Sequence, residues 1–286
     1  MVKLLKNYLS LVKFSHTIFA MPFAFIGFFM AFRENSSSID FKLFVLIVLC
    51  MVFARNAAMS FNRLVDRHFD AKNPRTSQRE IPAGIISPKA TGYFTLINSL
   101  LFIGTTYFIN HLVLILSPVA LFVVLFYSYT KRFTWLCHFV LGLGLSLAPI
   151  GAYLAVAAKF NLLPVLYSVI VLFWVSGFDI IYSLQDEGFD KSQNLKSVPA
   201  KVGGKRALWV ASILHIIVAV VVVFIGLQYN FDLWYWVGSL FFIGLLVYQH
   251  YIISPKDLSR VNLAFATTNG IASIIFAVFN IVSYLQ

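Results

Sequence analysis

The sequence predicts an all-α, polytopic membrane protein with about nine transmembrane helices around a central cavity open to the cytoplasmic side. Three observations predict this class: 60% of the 286 residues are hydrophobic, only 12% are charged, and the mean hydropathy is +0.84. Soluble domains carry about 25% charged residues, so the composition excludes an ordinary soluble fold. Residues 1–286 are expected to form a single integral-membrane domain.

Nine apolar runs are long enough to cross a bilayer as helices. Their predicted bounds are 14–33, 42–65, 89–109, 111–130, 134–158, 161–185, 206–228, 231–253 and 261–285. Connections as short as Asn110-His111 and Tyr229-Asn230 predict that these neighbouring helices are antiparallel hairpins. The first run is too long for the apolar core of a signal peptide, so we interpret it as a membrane helix.

Basic residues divide unevenly between the two sides of this topology. With a cytoplasmic N-terminus, only Arg33, Lys42 and Lys159 of the 22 lysines and arginines fall on the opposite side, while Arg55 lies inside a span. This asymmetry follows the positive-inside rule and predicts a multi-pass protein of the inner (plasma) membrane. The net charge of +11 therefore indicates the lipid bilayer as a partner, and no nucleic acid, because no continuous basic soluble segment is present in the sequence.

Polar side chains at four-residue spacing end the second apolar run. Asn62, Asp66 and Asp70 advance by about 40° per step on a helix, so they share one face. Carboxylates at the edge of a membrane are costly unless a charged ligand binds them, and Mg²⁺ is a hard cation that prefers carboxylate and phosphate oxygens. We therefore predict that Asn62, Asp66 and Asp70 are ligands of Mg²⁺.

A second cluster, Tyr182, Asp186 and Asp190, repeats this spacing at the end of the sixth apolar run. A solvated helix end is the simpler interpretation, but carboxylates at a C-terminal end oppose the helix macrodipole, and two such clusters are harder to explain. Asp186 and Asp190 are therefore predicted as further metal ligands, with the two clusters converging at the cytoplasmic surface on two Mg²⁺ ions and a diphosphate. The predicted catalytic residues are Asp66, Asp70, Asp186 and Asp190.

Basic residues in the connections are candidates for phosphate binding. Lys131 and Arg132 directly follow the fourth span, and Arg75 and Arg79 lie in the polar connection 71–88 after the first cluster. For Lys131 and Arg132 the alternative interpretation is topological anchoring by the positive-inside rule.

Arg55 is an isolated charge inside the second span. It lies seven residues before Asn62 on the same helix face, and Asp179 precedes Asp186 by the same interval. One interpretation is an intramembrane ion pair between Arg55 and Asp179. The other is that Arg55 binds an acidic aromatic substrate.

At these residues the chain resembles the UbiA family of intramembrane aromatic prenyltransferases. The family patterns Asn-x-x-x-Asp-x-x-x-Asp and Tyr-x-x-x-Asp-x-x-x-Asp match the two clusters, and the likeness extends through residues 73–76, 127–132 and 179–186. The resemblance implies Mg²⁺-dependent chemistry on a prenyl diphosphate. The predicted substrate-binding residues are Asn62, Arg63, Arg55, Arg75, Arg79, Tyr127, Lys131, Arg132, Asp179 and Tyr182.

Within the family the sequence is similar to 4-hydroxybenzoate polyprenyltransferases. The similarity implies transfer of a polyprenyl group from polyprenyl diphosphate to an aromatic acid in quinone biosynthesis, with the ring capturing the allylic cation. An acceptor of a menaquinone route is an open alternative. A membrane transporter is a further alternative, although transporters place charge near the bilayer midplane. A CDP-alcohol phosphotransferase is disfavoured, because the chain has no Asp-Gly pair.

Overall fold

The computed structural model describes residues 2–13, 20–35, 39–255 and 257–286. Within these ranges the chain is helical, apart from connections and one isolated β-bridge between Ser254 and Asp257. The helices are α1 (Val2–Leu11), α2 (Met21–Asn35), α3 (Phe41–Lys72), α4 (Pro88–Tyr107), α5 (His111–Thr130), α6 (Cys137–Ala157), α7 (Leu162–Ser183), α8 (Glu187–Ser192), α9 (Val198–Val202), α10 (Gly204–Gln228), α11 (Leu233–Ile252) and α12 (Asn269–Leu285). A 3₁₀ turn (Leu184–Asp186) precedes α8, and a π-helical turn (Leu263–Thr268) precedes α12.

Six helical segments in the described ranges are long and apolar enough to cross a membrane. They are Phe41–Lys72, His111–Thr130, Cys137–Ala157, Leu162–Ser192, Gly204–Gln228 and Leu263–Leu285. Large apolar side chains such as Leu100, Phe122 and Leu240 lie exposed on the helices, as contact with lipid requires. The all-α, polytopic membrane class is therefore confirmed, while nine spans and a cytoplasmic cavity stay predictions. The predicted first span, 14–33, begins at residues outside the described ranges.

Helix α3 is longer than the apolar run alone predicts. The run ends near residue 65, whereas the helix continues to Lys72. The two additional turns are polar and carry the second half of the first acidic cluster. Asn62, Asp66 and Asp70 therefore lie on one uninterrupted helix, as their spacing predicts.

The chain forms two compact units, of which the first comprises residues 1–17 and 42–129. In this unit α3 and α4 are joined by side-chain hydrogen bonds: Asn56 Nδ2 donates to Asn98 Oδ1 at 3.1 Å, and the Ser60 and Thr95 hydroxyls are 2.8 Å apart. Hydrogen bonds between helices satisfy polar groups that lipid cannot solvate. Helix α1 packs through Leu11 on the connection between α3 and α4.

The second unit comprises residues 18–41 and 130–286. Its helices approach one another closely at glycines, which have no side chain to separate the two backbones. A Cβ added at Gly27 on α2 would lie 2.1 Å from the carbonyl oxygen of Pro149 on α6, and one at Gly142 on α6 would lie 2.4 Å from that of Leu172 on α7. Small residues permit such contacts in membranes, where dispersion contacts and hydrogen bonds drive helix association. The core is centred on Trp174, whose ring contacts those of its aromatic neighbours.

Candidate active site

The first acidic cluster lies at the C-terminal end of α3. The Asn62 amide nitrogen donates to Asp66 Oδ2 at 3.0 Å, so its amide oxygen points elsewhere and keeps its capacity to bind a cation. Asn62 and Asp66 are half-buried, and Asp70 is 7% exposed. The cluster thus presents oxygen donors on one helix face in a partly desolvated position.

The connection after α3 folds back onto Asp70. Asn73 accepts the main-chain N–H of Arg75 at 3.0 Å, and the Thr76 hydroxyl donates to the Asp70 carbonyl oxygen at 3.1 Å. This turn returns Arg79 to the helix end, where its Nη1 lies 2.7 Å from Asp70 Oδ1. Of the two arginines predicted in this connection, Arg79 therefore pairs with the acidic cluster; the Arg75 side chain is exposed.

Two further arginines of the first unit lie on α3: Arg55 precedes the cluster, and Arg63 lies within it. Arg63 is 5% exposed and interacts electrostatically with Arg79, Asp70 and Tyr127. Arg55 also lies within electrostatic range of Tyr127 and Arg63. The Nε atoms of Arg55 and Arg63 are buried and have no hydrogen-bond partner among the described residues. Buried guanidinium nitrogens without partners are costly, so this patch is suited to bind an anion.

The second acidic cluster does not lie on one continuous helix. Helix α7 ends at Ser183, the 3₁₀ turn contains Asp186, and Asp190 lies on α8. At the break the Ser183 hydroxyl donates to the Ile180 carbonyl and the Gln185 amide donates to the Tyr182 carbonyl. A serine side-chain bond to the preceding turn slightly destabilises a helix and often bends it.

Asp190 is fully buried and bound by two polar side chains. Lys131 Nζ lies 2.8 Å from Asp190 Oδ1, and the Ser197 hydroxyl donates to Oδ2 at 2.8 Å. Burial lowers the pKa of Lys131, but the charge and hydrogen bond of Asp190 outweigh this effect and raise the pKa above its ordinary value. Lys131 therefore stays charged at neutral pH, and the negative charge of Asp186 adds to that effect.

The segment that follows α8 is hydrogen-bonded to residues between the end of α5 and the start of α6. The Lys196 N–H donates to the Lys131 carbonyl at 2.6 Å, and the Val198 N–H donates to His138 Nε2 at 3.2 Å. The ammonium of Lys201 lies 4.1 Å from the centroid of the Trp135 ring, a cation–π distance. The connection and the start of α9 therefore contact residues 131–138 beside the second cluster.

Asp179, predicted as a substrate-binding residue, pairs with a histidine that the sequence did not single out. His138 Nδ1 lies 2.6 Å from Asp179 Oδ2. The six histidines show no ligand spacing in the sequence, and 41 residues separate this pair, so no local pattern connects them. Among the described residues, His138 and Ser197 are site residues that the tertiary structure identifies and the sequence analysis did not.

The oxygen donors of both clusters fit Mg²⁺. No three histidine, cysteine, aspartate or glutamate side chains of the described ranges converge as a self-sufficient metal site. Mg²⁺ does not need one, because it keeps several waters and binds one or two carboxylates together with substrate phosphates. A carboxylate offers about four lone-pair positions, so Asp70 and Asp190 retain acceptor capacity beside their basic partners.

Apolar helices with oxygen-rich acidic clusters at the end of α3 and directly after α7 are typical of a membrane-embedded enzyme. The chain belongs to the UbiA prenyltransferase family, because the model of that family matches residues 20–277. Prenyltransferase chemistry follows from this membership. The chain is 31% identical over 244 residues to the 4-hydroxybenzoate octaprenyltransferase of Aliivibrio fischeri (strain MJ11), an alignment that covers 83% of this chain and 82% of the relative.

Solved structures share the fold. The apo structure of a UbiA homolog from Aeropyrum pernix K1 superposes with a TM-score of 0.84 at 28% identity, covering 93% of this chain and 97% of that one. A UbiA homolog from Archaeoglobus fulgidus, bound to DMAPP and Mg²⁺, superposes with a TM-score of 0.77 at 21% identity, covering 98% and 99%. At this lower identity the likeness concerns the fold alone.

Proposed function

We propose that the protein transfers a polyprenyl group from polyprenyl diphosphate to a hydroxylated aromatic acid of the 4-hydroxybenzoate type, in quinone biosynthesis. The observation that carries the proposal is the pairing of each acidic cluster with a cation, Asp70 with Arg79 and Asp190 with Lys131. In this proposal the carboxylates bind the metal, and their basic partners bind the diphosphate that the metal neutralises. The names of the curated relatives support 4-hydroxybenzoate as the acceptor.

The proposed roles at the diphosphate follow from the donor chemistry. Asn62, Asp66 and Asp70 hold one Mg²⁺, while Asp186 and Asp190 hold a second. When bound, Mg²⁺ supplies charge neutralisation that helps the diphosphate depart. The basic residues Lys131, Arg132, Arg75 and Arg79 contribute positive charge to the same group, and Arg79 and Lys131 are already held in place by their carboxylate partners.

The proposed reaction then forms a carbon–carbon bond. Breakage of the allylic C–O bond leaves a cation, a ring carbon of the acceptor attacks it, and the ring loses a proton. Arg55 binds the acceptor carboxylate, with Arg63 and Tyr127 beside it. Asp179 and Tyr182 contact the acceptor from α7, where the Phe265 ring packs against Tyr182 with centroids 4.2 Å apart.

The proposal requires the two acidic clusters to converge at the cytoplasmic surface of the inner membrane, within nine spans and a single domain of residues 1–286. Membership of one family over residues 20–277, which include most of both compact units, supports a single catalytic domain. The distribution of lysine and arginine supports the cytoplasmic orientation.

Purified protein in lipid vesicles is expected to convert radiolabelled polyprenyl diphosphate and 4-hydroxybenzoate into a lipid-soluble aromatic product. EDTA should stop the reaction and added Mg²⁺ should restore it, because the diphosphate cannot depart without charge neutralisation. Mass spectrometry of the product, with competing aromatic acids present, identifies the acceptor. Turnover that persists in EDTA would contradict the metal proposal, and uptake of substrate without product would favour a transporter.

Replacing Arg55 with alanine is expected to raise the KM for the acidic acceptor about tenfold or more, because a charge-assisted hydrogen bond is lost. For the methyl ester of the acceptor, which has no carboxylate, the same substitution should raise the KM far less. Steady-state kinetics with both acceptors make the comparison, and the KM for the prenyl diphosphate is the internal control. An equal rise in KM for the acid and for the ester would refute the role of Arg55.

A further inference from the structure

His138 is a buried side chain that the proposed chemistry does not use. It is 2% exposed at the start of α6 and bonds through both ring nitrogens. Nε2 accepts the Val198 N–H at 3.2 Å and therefore carries no proton. The ring proton must then lie on Nδ1, which donates it to Asp179 Oδ2 at 2.6 Å.

We propose that His138 is a positioning residue that fixes the Asp179 carboxylate so that it accepts a hydrogen bond from the hydroxyl group of the aromatic acceptor. This inference rests on the proposed function. The Asp179 side chain is 23% exposed, whereas its neighbours Phe178 and Ile180 are buried. One side of the carboxylate is therefore held by His138 while the side chain still reaches accessible space.

The neutral imidazole explains why a histidine occupies this position. A lysine or arginine would cancel the charge of Asp179, as Lys131 does for Asp190. A neutral donor orients the carboxylate and leaves its net negative charge in place. A carboxylate that accepts a hydrogen bond from the acceptor hydroxyl increases the electron density of the ring, which favours its attack on an allylic cation.

The same contact links Asp179 to the second acidic cluster. Val198, which fixes the His138 ring, directly follows Ser197, which donates to Asp190. Two adjacent residues, Ser197 before α9 and Val198 at its start, therefore hold both the acceptor-facing carboxylate, through His138, and the metal-binding one. Displacement of these two residues would disturb both groups together.

Two substitutions separate the bonds of His138. In H138Q the side-chain amide reaches the position of Nε2 and can accept from Val198, but the donor to Asp179 is lost. In H138N the amide nitrogen lies near the position of Nδ1, so the bond to Asp179 is kept. H138Q is expected to raise the acceptor KM about tenfold, with the diphosphate KM unchanged, whereas H138N should stay within about threefold of the wild type.

The controls distinguish positioning from stability. H111Q makes the same change at an exposed histidine of α5 and should have wild-type kinetics. With a methoxy acceptor, which has no hydroxyl proton, the wild type should bind about as weakly as H138Q, a test that needs no variant. The inference would be overturned if H138Q left the acceptor KM unchanged. It would also be overturned if H138Q and H138N both raised the KM values of the two substrates to the same extent. Absence of product from the wild type would instead overturn the proposed function.

Discussion

Replacement of Asp66 by asparagine is expected to lower turnover by about 1,000-fold or more while the protein still inserts and folds. The substitution keeps the shape of the side chain and its contact with Asn62, but it removes a charged metal ligand. A metal stabilises the departing diphosphate by several kcal/mol, and each 1.4 kcal/mol corresponds to about tenfold in rate. Asp186→Asn is expected to have an effect of the same order.

Single-turnover rates at saturating Mg²⁺, together with size-exclusion chromatography of the detergent-extracted protein, measure this effect. Asp232→Asn is the matched control, because Asp232 caps α11 by accepting the Tyr235 N–H, and asparagine caps a helix equally well. A rate within tenfold of the wild type for Asp66→Asn would exclude Asp66 as an essential metal ligand.

Replacement of Lys131 by methionine is expected to impair both stability and activity. Asp190 is fully buried and Lys131 is its cationic partner, with a third of the lysine side chain exposed. Removal of one member of a buried ion pair leaves an uncompensated charge, at a cost of about 3 kcal/mol. The same substitution removes a positive charge from the proposed diphosphate site, so turnover should fall by about 100-fold.

A double variant separates the two effects. Lys131→Met combined with Asp190→Asn leaves no buried charge at the pair, so the apparent melting temperature should return towards that of the wild type. Activity should not return, because both a basic group and a metal ligand are missing. Thermal denaturation in detergent and the prenyl transfer assay measure the two properties. If Lys131→Met alone melts like the wild type, the ion pair does not contribute to stability.

The first acidic cluster was predictable from the sequence in detail. Asn62, Asp66 and Asp70 share a face because α3 continues through the end of the apolar run, and the spacing of four residues is a local property of one helix. The hydropathy of the runs likewise predicted the positions of the long helices, because the bilayer imposes both the length and the composition of a membrane helix.

For the second cluster, the local sequence pattern did not predict the structure. Its spacing is the same, but side-chain bonds at Ser183 and Gln185 accompany an interruption of the helix between Tyr182 and Asp186. The sequence predicted Lys131 as a phosphate-binding residue or a topological anchor, yet its partner Asp190 follows 59 positions later in the chain. Residue spacing within one helix cannot predict an ion pair such as Lys131–Asp190, whose members come from two separate parts of the chain.

The sequence by itself determined the membrane class, the positions of the acidic groups and the family, because these depend on composition and on short periodic patterns. Only the tertiary structure decided which charges are neutralised and how. It pairs Asp70 with Arg79, Asp190 with Lys131 and Ser197, and Asp179 with the neutral His138. The physical reason is that the cost of a buried charge is set by its three-dimensional neighbours, which helix packing and folded connections bring together from distant parts of the chain.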